Sequence, residues 1–284
     1  MDDLSVTIPW STRKRLQHLE FKLYWEGRVN RGDLTAEFGI SIPQASVDFT
    51  KYQEMAPNNI SYNSSAKYYV PTETFKPIFI EISAVAYFST ILCSPTIENN
   101  AACGSDFIGS VPNPSRIIDV DILRTVVQAI KYKQIVSVDY RSFNNPQPGN
   151  TRLISPHAFG TDGSRWHVRA YCHTDNKFKD FVLGRIAEAS MASDSDIDVN
   201  CDRQWFDYVD VVIGPNPKLS DVQKDIVAMD YGMTNFELKF KCRIALFYYL
   251  SKKLGIGRND SERAGEEQQI VAINLDEIYA ATRQ

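Results

Sequence analysis

The 284-residue sequence predicts an α+β multidomain protein. Three observations carry that prediction. Residues 10–55 repeat apolar side chains at helical spacing and are punctuated by glycines. Between 134 and 190, short β-rich runs alternate with turn residues. Beyond 205, strand-like and helix-like segments take turns. The length also exceeds a typical domain of about 100–200 residues. The expected boundaries are a helical unit over 1–75, a helical linker over 76–118, a β-rich domain over 119–195 and an α+β extension over 196–284.

In the first unit, "STRKRLQHLEFKLYWEGRV" offers Ser11 as an N-cap. It places Leu16, Leu19 and Leu23, with Phe21 and Tyr24, on a helix ending at Gly27. A short helix follows around Asp33–Phe38, then a tight turn at Gly39–Ile40 and a second helix from Ser41 with Pro43 in its first turn. "ISY" and "KYYV" flank the turn "NSSA" as two strands. Helices across a glycine-containing turn followed by a β-wing make a winged helix-turn-helix. On its third helix, Ile42, Ala45 and Phe49 are expected to face inward, and Gln44, Val47, Thr50 and Lys51 outward. Gln pairs bidentately with adenine, small apolar groups meet a thymine methyl, and Lys holds phosphate. DNA contacts are therefore expected from Gln44, Ser46, Val47, Thr50 and Lys51, from Ser65 and Lys67 in the wing, and from Arg13, Arg15 and Arg31 on the flanks. Residues 1–70 carry no net charge, which favours the competing reading, a three-helix module that touches no DNA.

The apolar "FKPIFIEISAVAYFSTILC" predicts a helix burying two sides, and "SPTIENNAACGSDFIGSVPNPS" a loop. Asp119 caps a helix with Val120, Leu123, Val127 and Ile130 at helical spacing. Four strands follow, "QIVSVDYRSF", "NTRLISPHAFG", "RWHVRAYCH" and "DFVLGRIAEAS", separated by turns as in a small antiparallel barrel. Alternation in "SRWHVRAYCH" sets Trp166, Val168, Ala170 and Cys172 on a core face and Arg165, His167, Arg169 and Tyr171 on the other. Cations so concentrated need an anion. The net charge of −4 conceals +5 over residues 131–185 and −6 over 186–284, a pattern suited to one specific anion site rather than a general polyanion surface. The remainder reads as strand, helix, strand, helix.

Several classes are excluded. No apolar run approaches the roughly 18–20 residues of a membrane span, and "MDDLSVTIPW" opens with acids where a secretory signal carries bases. A cytoplasmic protein is expected. Cys93, Cys103, Cys172, Cys201 and Cys242 form no C-x-x-C pair and read as reduced core residues, without zinc or disulfides. Phosphate-binding, hydrolase and metalloprotease motifs are missing, so neither catalytic residues nor a cofactor are expected.

"ISPH" (Ile154–His157), "RAYC" (Arg169–Cys172) and "FVLGRI" (Phe181–Ile186) resemble the core of the WYL domain, although Trp166-His167-Val168 replaces the Trp-Tyr-Leu triplet. With a winged helix before it and an α+β extension after, the chain resembles the BrxR/CapW-type WYL transcription regulators over nearly its whole length. That resemblance implies a barrel of SH3/Sm type with a basic pocket. Tyr140, Ser155, His157, Arg169 and Arg185 would line the pocket, with Arg152 and His167 at its edge. Spacing independently sets Ser155 and His157 on one strand face and Arg169 on the polar face. The function implied is a ligand-responsive repressor of a bacterial phage-defence operon of the BREX or CBASS kind. It would bind palindromic double-stranded operator DNA as a homodimer held by its C-terminal extension, and answer to a phosphate-bearing nucleic-acid or nucleotide effector. The alternative is an RNA- or single-stranded-nucleic-acid-binding barrel without operator function, using Tyr140 and Tyr171.

Overall fold

Leu16, Leu19 and Leu23, all fully buried, run down one side of α1 (Trp10–Phe21) and of the broader π-helical turn Lys22–Glu26 that prolongs it. The computed structural model describes residues 8–92, 116–143, 151–258 and 263–282. The expected loop after residue 93, the turn "NNPQPGN", Cys93 and Cys103 lie outside them. The chain forms two units, Met1–Gly109 and Ser110–Gln284.

In the first unit Gly27, with φ 74°, ends the α1 segment in the left-handed region that favours glycine. Ser11 is not the cap, since the helix already begins at Trp10 after Pro9. Asn30 caps α2 (Arg31–Phe38) in a reciprocal capping box with Asp33, and Gly39 closes it at φ 62°. The Ser41 hydroxyl accepts from the Gln44 amide and starts α3 (Ile42–Met55). Strands β1 (Ile60–Asn63) and β2 (Tyr68–Pro71) pair antiparallel as the wing, and Val29 bonds Tyr69 from the other side. Leu34, Ala45, Phe49 and Tyr52 complete the core with the α1 leucines.

The helix expected to bury two sides is only α4 (Ala84–Leu92), and Val85 and Phe88 are exposed. The reason lies in the preceding residues. Amides of Ile78, Phe79 and Ile80 donate to the buried Glu20 carboxylate at 2.8, 2.6 and 2.9 Å, so those donors are taken by a side chain rather than a helix.

The second unit begins with α5 (Val120–Tyr132), capped by Asp119. Its buried face is Ile122, Val126 and Ala129, with Leu123 and Ile130 at the margin, whereas Val120 and Val127 are exposed. The apolar stripe is wider than one face, and packing selects a stripe rotated from the expected one. Five strands follow: β3 (Gln134–Tyr140), β4 (Thr151–Thr161), β5 (Trp166–Cys172), β6 (Lys177–Val182) and β7 (Ile186–Asp194). The last expected strand is in fact two, split by the 3-10 turn Leu183–Arg185. The antiparallel order β6-β5-β4-β3-β7 places β6 and β7 at opposite edges. Because that short turn joins them, the sheet must curl until its edges approach, which is the barrel-like shape.

Beyond β7, the turn Val199–Cys201 and α6 (Arg203–Phe206) lead to β8 (Tyr208–Pro215). Then come α7 (Asp221–Tyr231), β9 (Leu238–Arg243), α8 (Ile244–Leu254), β10 (Ile270–Ala272) and α9 (Leu275–Thr282). The three strands form an antiparallel sheet ordered β10-β8-β9. The final strand and helix extend the alternation one step past the expected pattern. Among the described residues no helix is long and apolar enough to cross a membrane.

Candidate functional site

On α3 the buried positions are Ala45, Asp48, Phe49 and Tyr52. Ile42 is 52% exposed rather than inward, because it stands in the first turn, ahead of the contact with α1. Val47, at 59% exposure, and Thr50 face solvent as expected. Thr50 and Ser46 turn their hydroxyls back to the helix carbonyls of Ser46 and Ile42, each at 3.1 Å. Val47, Ile42 and the Thr50 methyl thus give α3 an apolar outward patch beside the half-buried Lys51. Ile42 is the residue spacing missed, and its place ahead of the contact was the available signal.

Arg15 differs from its expected role. Its Nε and Nη2 donate to Asp48 Oδ2 and Oδ1 at 2.6 and 3.0 Å, and Nη2 also reaches Thr12 Oγ1 at 3.1 Å. The pair is buried between α1 and α3, and Gln44, expected to face outward, is half-buried and donates its Nε2 to Asp48 Oδ1 at 3.4 Å. Arg13, Ser65 and Lys67 are exposed. Arg31 stacks over Tyr62 and Tyr69 at 6.0 and 5.8 Å and donates to Tyr69 Oη at 3.3 Å, joining α2 to the wing.

On the basic strand face of the second unit His167 and Arg169 are buried, at 2% and 4% exposure, and Arg165 and Tyr171 half-buried, while Trp166, expected in the core, is 51% exposed. Trp166 opens the strand and pairs with Thr161 at the end of β4, where the core has run out. The anion for that face comes from within the chain. Arg169 Nε and Nη2 donate to Asp202 Oδ2 and Oδ1 at 2.7 and 2.8 Å, a bidentate fork. Nη1 donates to Asp180 Oδ1 and Nη2 to Gln204 Oε1, both at 3.2 Å.

His157 Nε2 lies 2.9 Å from the same Asp202 Oδ2, with its ring against Trp205 and Phe206. A bulge makes this possible: Pro156 pairs with Ala170 and Ala158 with Arg169, leaving His157 as the extra residue. Pro156, with no N–H to donate, sits at that irregularity. Burial alone would raise the Asp202 carboxyl, but the hydrogen bonds from Arg169 and His157 outweigh it and hold it at about 2.

The other expected pocket residues divide. Ser155 is buried and bonded to His173 Nε2 at 2.8 Å and Ser195 Oγ at 2.7 Å, close to the start of the segment that bears Asp202. Tyr140 is core, taking a hydrogen bond from the Val182 amide at 3.2 Å with its ring edge-on to Phe181. Arg152 pairs with Asp175 at 2.6 Å, and Arg185 stacks over Phe143 at 5.3 Å. His167 packs against Tyr249 of α8 at 4.3 Å, its Nδ1 buried without a partner, and burial lowers its pKa below the ordinary imidazole value. Tyr249 Oη donates to Asp180 Oδ2 at 3.0 Å. Arg169, His157 and Ser155 therefore gather around the segment following β7, a junction alternation within one strand could not reveal. Of the cysteines described, Cys172 is buried, Cys242 half-buried and Cys201, against expectation, exposed.

Residues 11–92 match the BrxR transcriptional regulator winged helix-turn-helix domain, 121–191 the WYL domain and 208–278 the BrxR C-terminal dimerization domain. The DNA-binding transcriptional repressor CapW of Escherichia coli strain KTE188 is 34% identical over 279 residues, 97% of this chain and 93% of the relative. CapW of Pseudomonas aeruginosa is 35% identical over 273 residues (95% and 91%), and that of Stenotrophomonas maltophilia 33% over 283 residues (96% and 93%).

Proposed function

The chain belongs to the BrxR/CapW-type WYL transcription regulators, a family of DNA-binding repressors rather than enzymes, and on that premise we propose that it silences a phage-defence operon until a phosphate-bearing effector engages its WYL domain. The observation that carries the DNA-reading half is the outward patch of α3, Val47 with Thr50 and Lys51, presented by a helix pinned at its start by Ser41 and across its body by Arg15–Asp48. Apolar groups of that size suit thymine methyls, and Lys51, Arg13, Arg31 and Lys67 supply phosphate contacts.

Two copies act together on a palindromic operator. One short reading head contacts few base pairs, and two-fold symmetry doubles the contact. Support for the pairing comes from the match to a dimerization domain over 208–278. Within it, Val222, Ile226 and Met229 stand 70, 50 and 75% exposed at helical spacing on α7, and we assign the pairing face to that stripe.

Sequencing the DNA fragments retained by the purified protein tests this reading. A shared palindrome is expected, with half-sites spaced by about 10–10.5 base pairs or a multiple. On that site Val47→Ala weakens binding by about 1 kcal/mol and affects random DNA far less. Equal weakening on both sequences would remove the base-reading role.

A further inference from the structure

Arg169 is a cation already satisfied twice over. Asp180 alone would balance its charge, yet Asp202 takes the better geometry, the two coplanar N–H groups of the fork, and shares His157 as well. Asp202 belongs to neither sheet. It sits between the single turn Val199–Cys201 and the four-residue α6, on the connection from β7 to β8, so it can withdraw without breaking a strand ladder.

Three donors converging on two anionic oxygens describe a seat for a phosphate as well as for a carboxylate. We propose that the Asp202 carboxylate is the resident occupant of the effector site, and that the effector carries a terminal phosphate monoester which takes its place. This rests on the effector-controlled repression proposed above and names the ligand class and the competing group.

A route exists. A cleft of about 300 Å³ reaches the guanidinium from its Asp180 and Gln204 side, next to the seat that Asp202 fills, and its lining includes Tyr248 and Ser251 among apolar residues of α8. That volume is at the small end for a ligand pocket and suits one terminal nucleotide. Tyr248, 61% exposed, offers a ring on which a base can stack, and Ser251 a hydroxyl. An internal phosphodiester is a poorer fit. It presents only two free oxygens and carries chain on both sides, whereas Arg169 is 4% exposed, which leaves little room for chain on both sides of a phosphate. A terminal monoester has three free oxygens and a single substituent. When it enters, Asp180 keeps its bond to Nη1, so the guanidinium is never left unpaired.

The test uses a tetrathymidylate bearing a 5′-phosphate, the same oligonucleotide with a 5′-hydroxyl, and calorimetry of the full chain at one salt concentration. Asp202→Asn removes the competing charge and keeps the shape. The phosphorylated probe is expected to bind this variant about tenfold or more tightly than wild type, because the apparent affinity of a site rises when its occupied state is depopulated. The hydroxyl probe gains little, and Arg169→Gln abolishes the preference for phosphate.

Hydrogen exchange on wild type gives a second readout that needs no variant to fold: amides of Val199–Trp205 exchange faster with the phosphorylated probe bound. Equal affinities of wild type and Asp202→Asn, or unchanged exchange in that segment, would overturn the proposal, as would failure of the probe to bind Asp202→Asn. Operator affinity separates the two readings. If the probe binds as described and operator affinity does not move, effector control fails while the occupied site stands. If the probe releases operator but Asp202→Asn gains nothing, effector control stands and Asp202 is structural.

Discussion

Among the described residues each unit buries one bidentate Arg–Asp pair, and the two differ in what they join. Arg15–Asp48 spans two helices of a single core, at 2.6 and 3.0 Å, with Thr12 and Gln44 beside it. Arg169–Asp202 has nearly the same geometry, but it ties a barrel strand to a connecting segment, and His157, Asp180 and Gln204 crowd around it. Breaking a buried ion pair is expensive chiefly because one charge is left alone. Where alternative partners stand ready, that penalty shrinks. The first pair therefore acts as a permanent staple and the second as a joint that can be exchanged.

Matched substitutions separate the two pairs most widely. Asp48→Asn strands Arg15 and should destabilise the first unit by about 3–5 kcal/mol, seen as a lowered midpoint for that unit in denaturant. Asp202→Asn should reduce stability of the second unit by only about 1–3 kcal/mol, because Asp180 still holds the guanidinium. Equal losses would erase the distinction between staple and joint.

Acid sharpens it further. The Asp202 carboxyl titrates near 2 in the folded chain, below its ordinary value of 3.8. A depressed carboxyl contributes stability that is whole above the unfolded value and is lost as pH falls through the folded one, here between about 4 and 2. The contribution is about 2 kcal/mol. It should appear as the difference between wild type and Asp202→Asn, which converge below pH 2. His167 works in the same sense at higher pH. Burial lowers its pKa, so its contribution is complete above about 6.5 and declines as pH falls below that value. His167→Phe should flatten that slope in thermal melts, provided the ring keeps its place against Tyr249. The smallest effect belongs to the exposed face of α3: Ile42→Ala should change the first unit's stability by less than about 0.5 kcal/mol.

Local chemistry was readable from residue types, and long-range chemistry was not. Ser41, Asp119 and Gly39 act within three or four residues of themselves, so capping rules place them directly. Spacing does not fix the α5 face, because seven apolar residues compete for one side and only the sheet beneath decides among them. The partner of Arg169 lies 33 residues away in "DVNCDRQ", a stretch with no periodicity, and Arg15 meets Asp48 at the same separation. His157 joined Arg169 through a bulge that strict alternation hides, although Pro156 marks the spot. The charge imbalance between residues 131–185 and the acidic remainder was the one sequence signal of the joint. It announced an anion without saying that the chain itself supplies one.

The caps at Asn30 and Ser41, the left-handed Gly39 and the Arg15–Asp48 staple together mean that the helix-turn-helix is finished before DNA arrives. Coupled folding leaves a calorimetric mark, a heat-capacity change larger than the contact surface explains. A preformed reading head should leave none. The heat capacity of operator binding by this protein then reports surface buried on the DNA and any bending of the duplex, and the entropy of ordering the recognition helix has already been spent in folding.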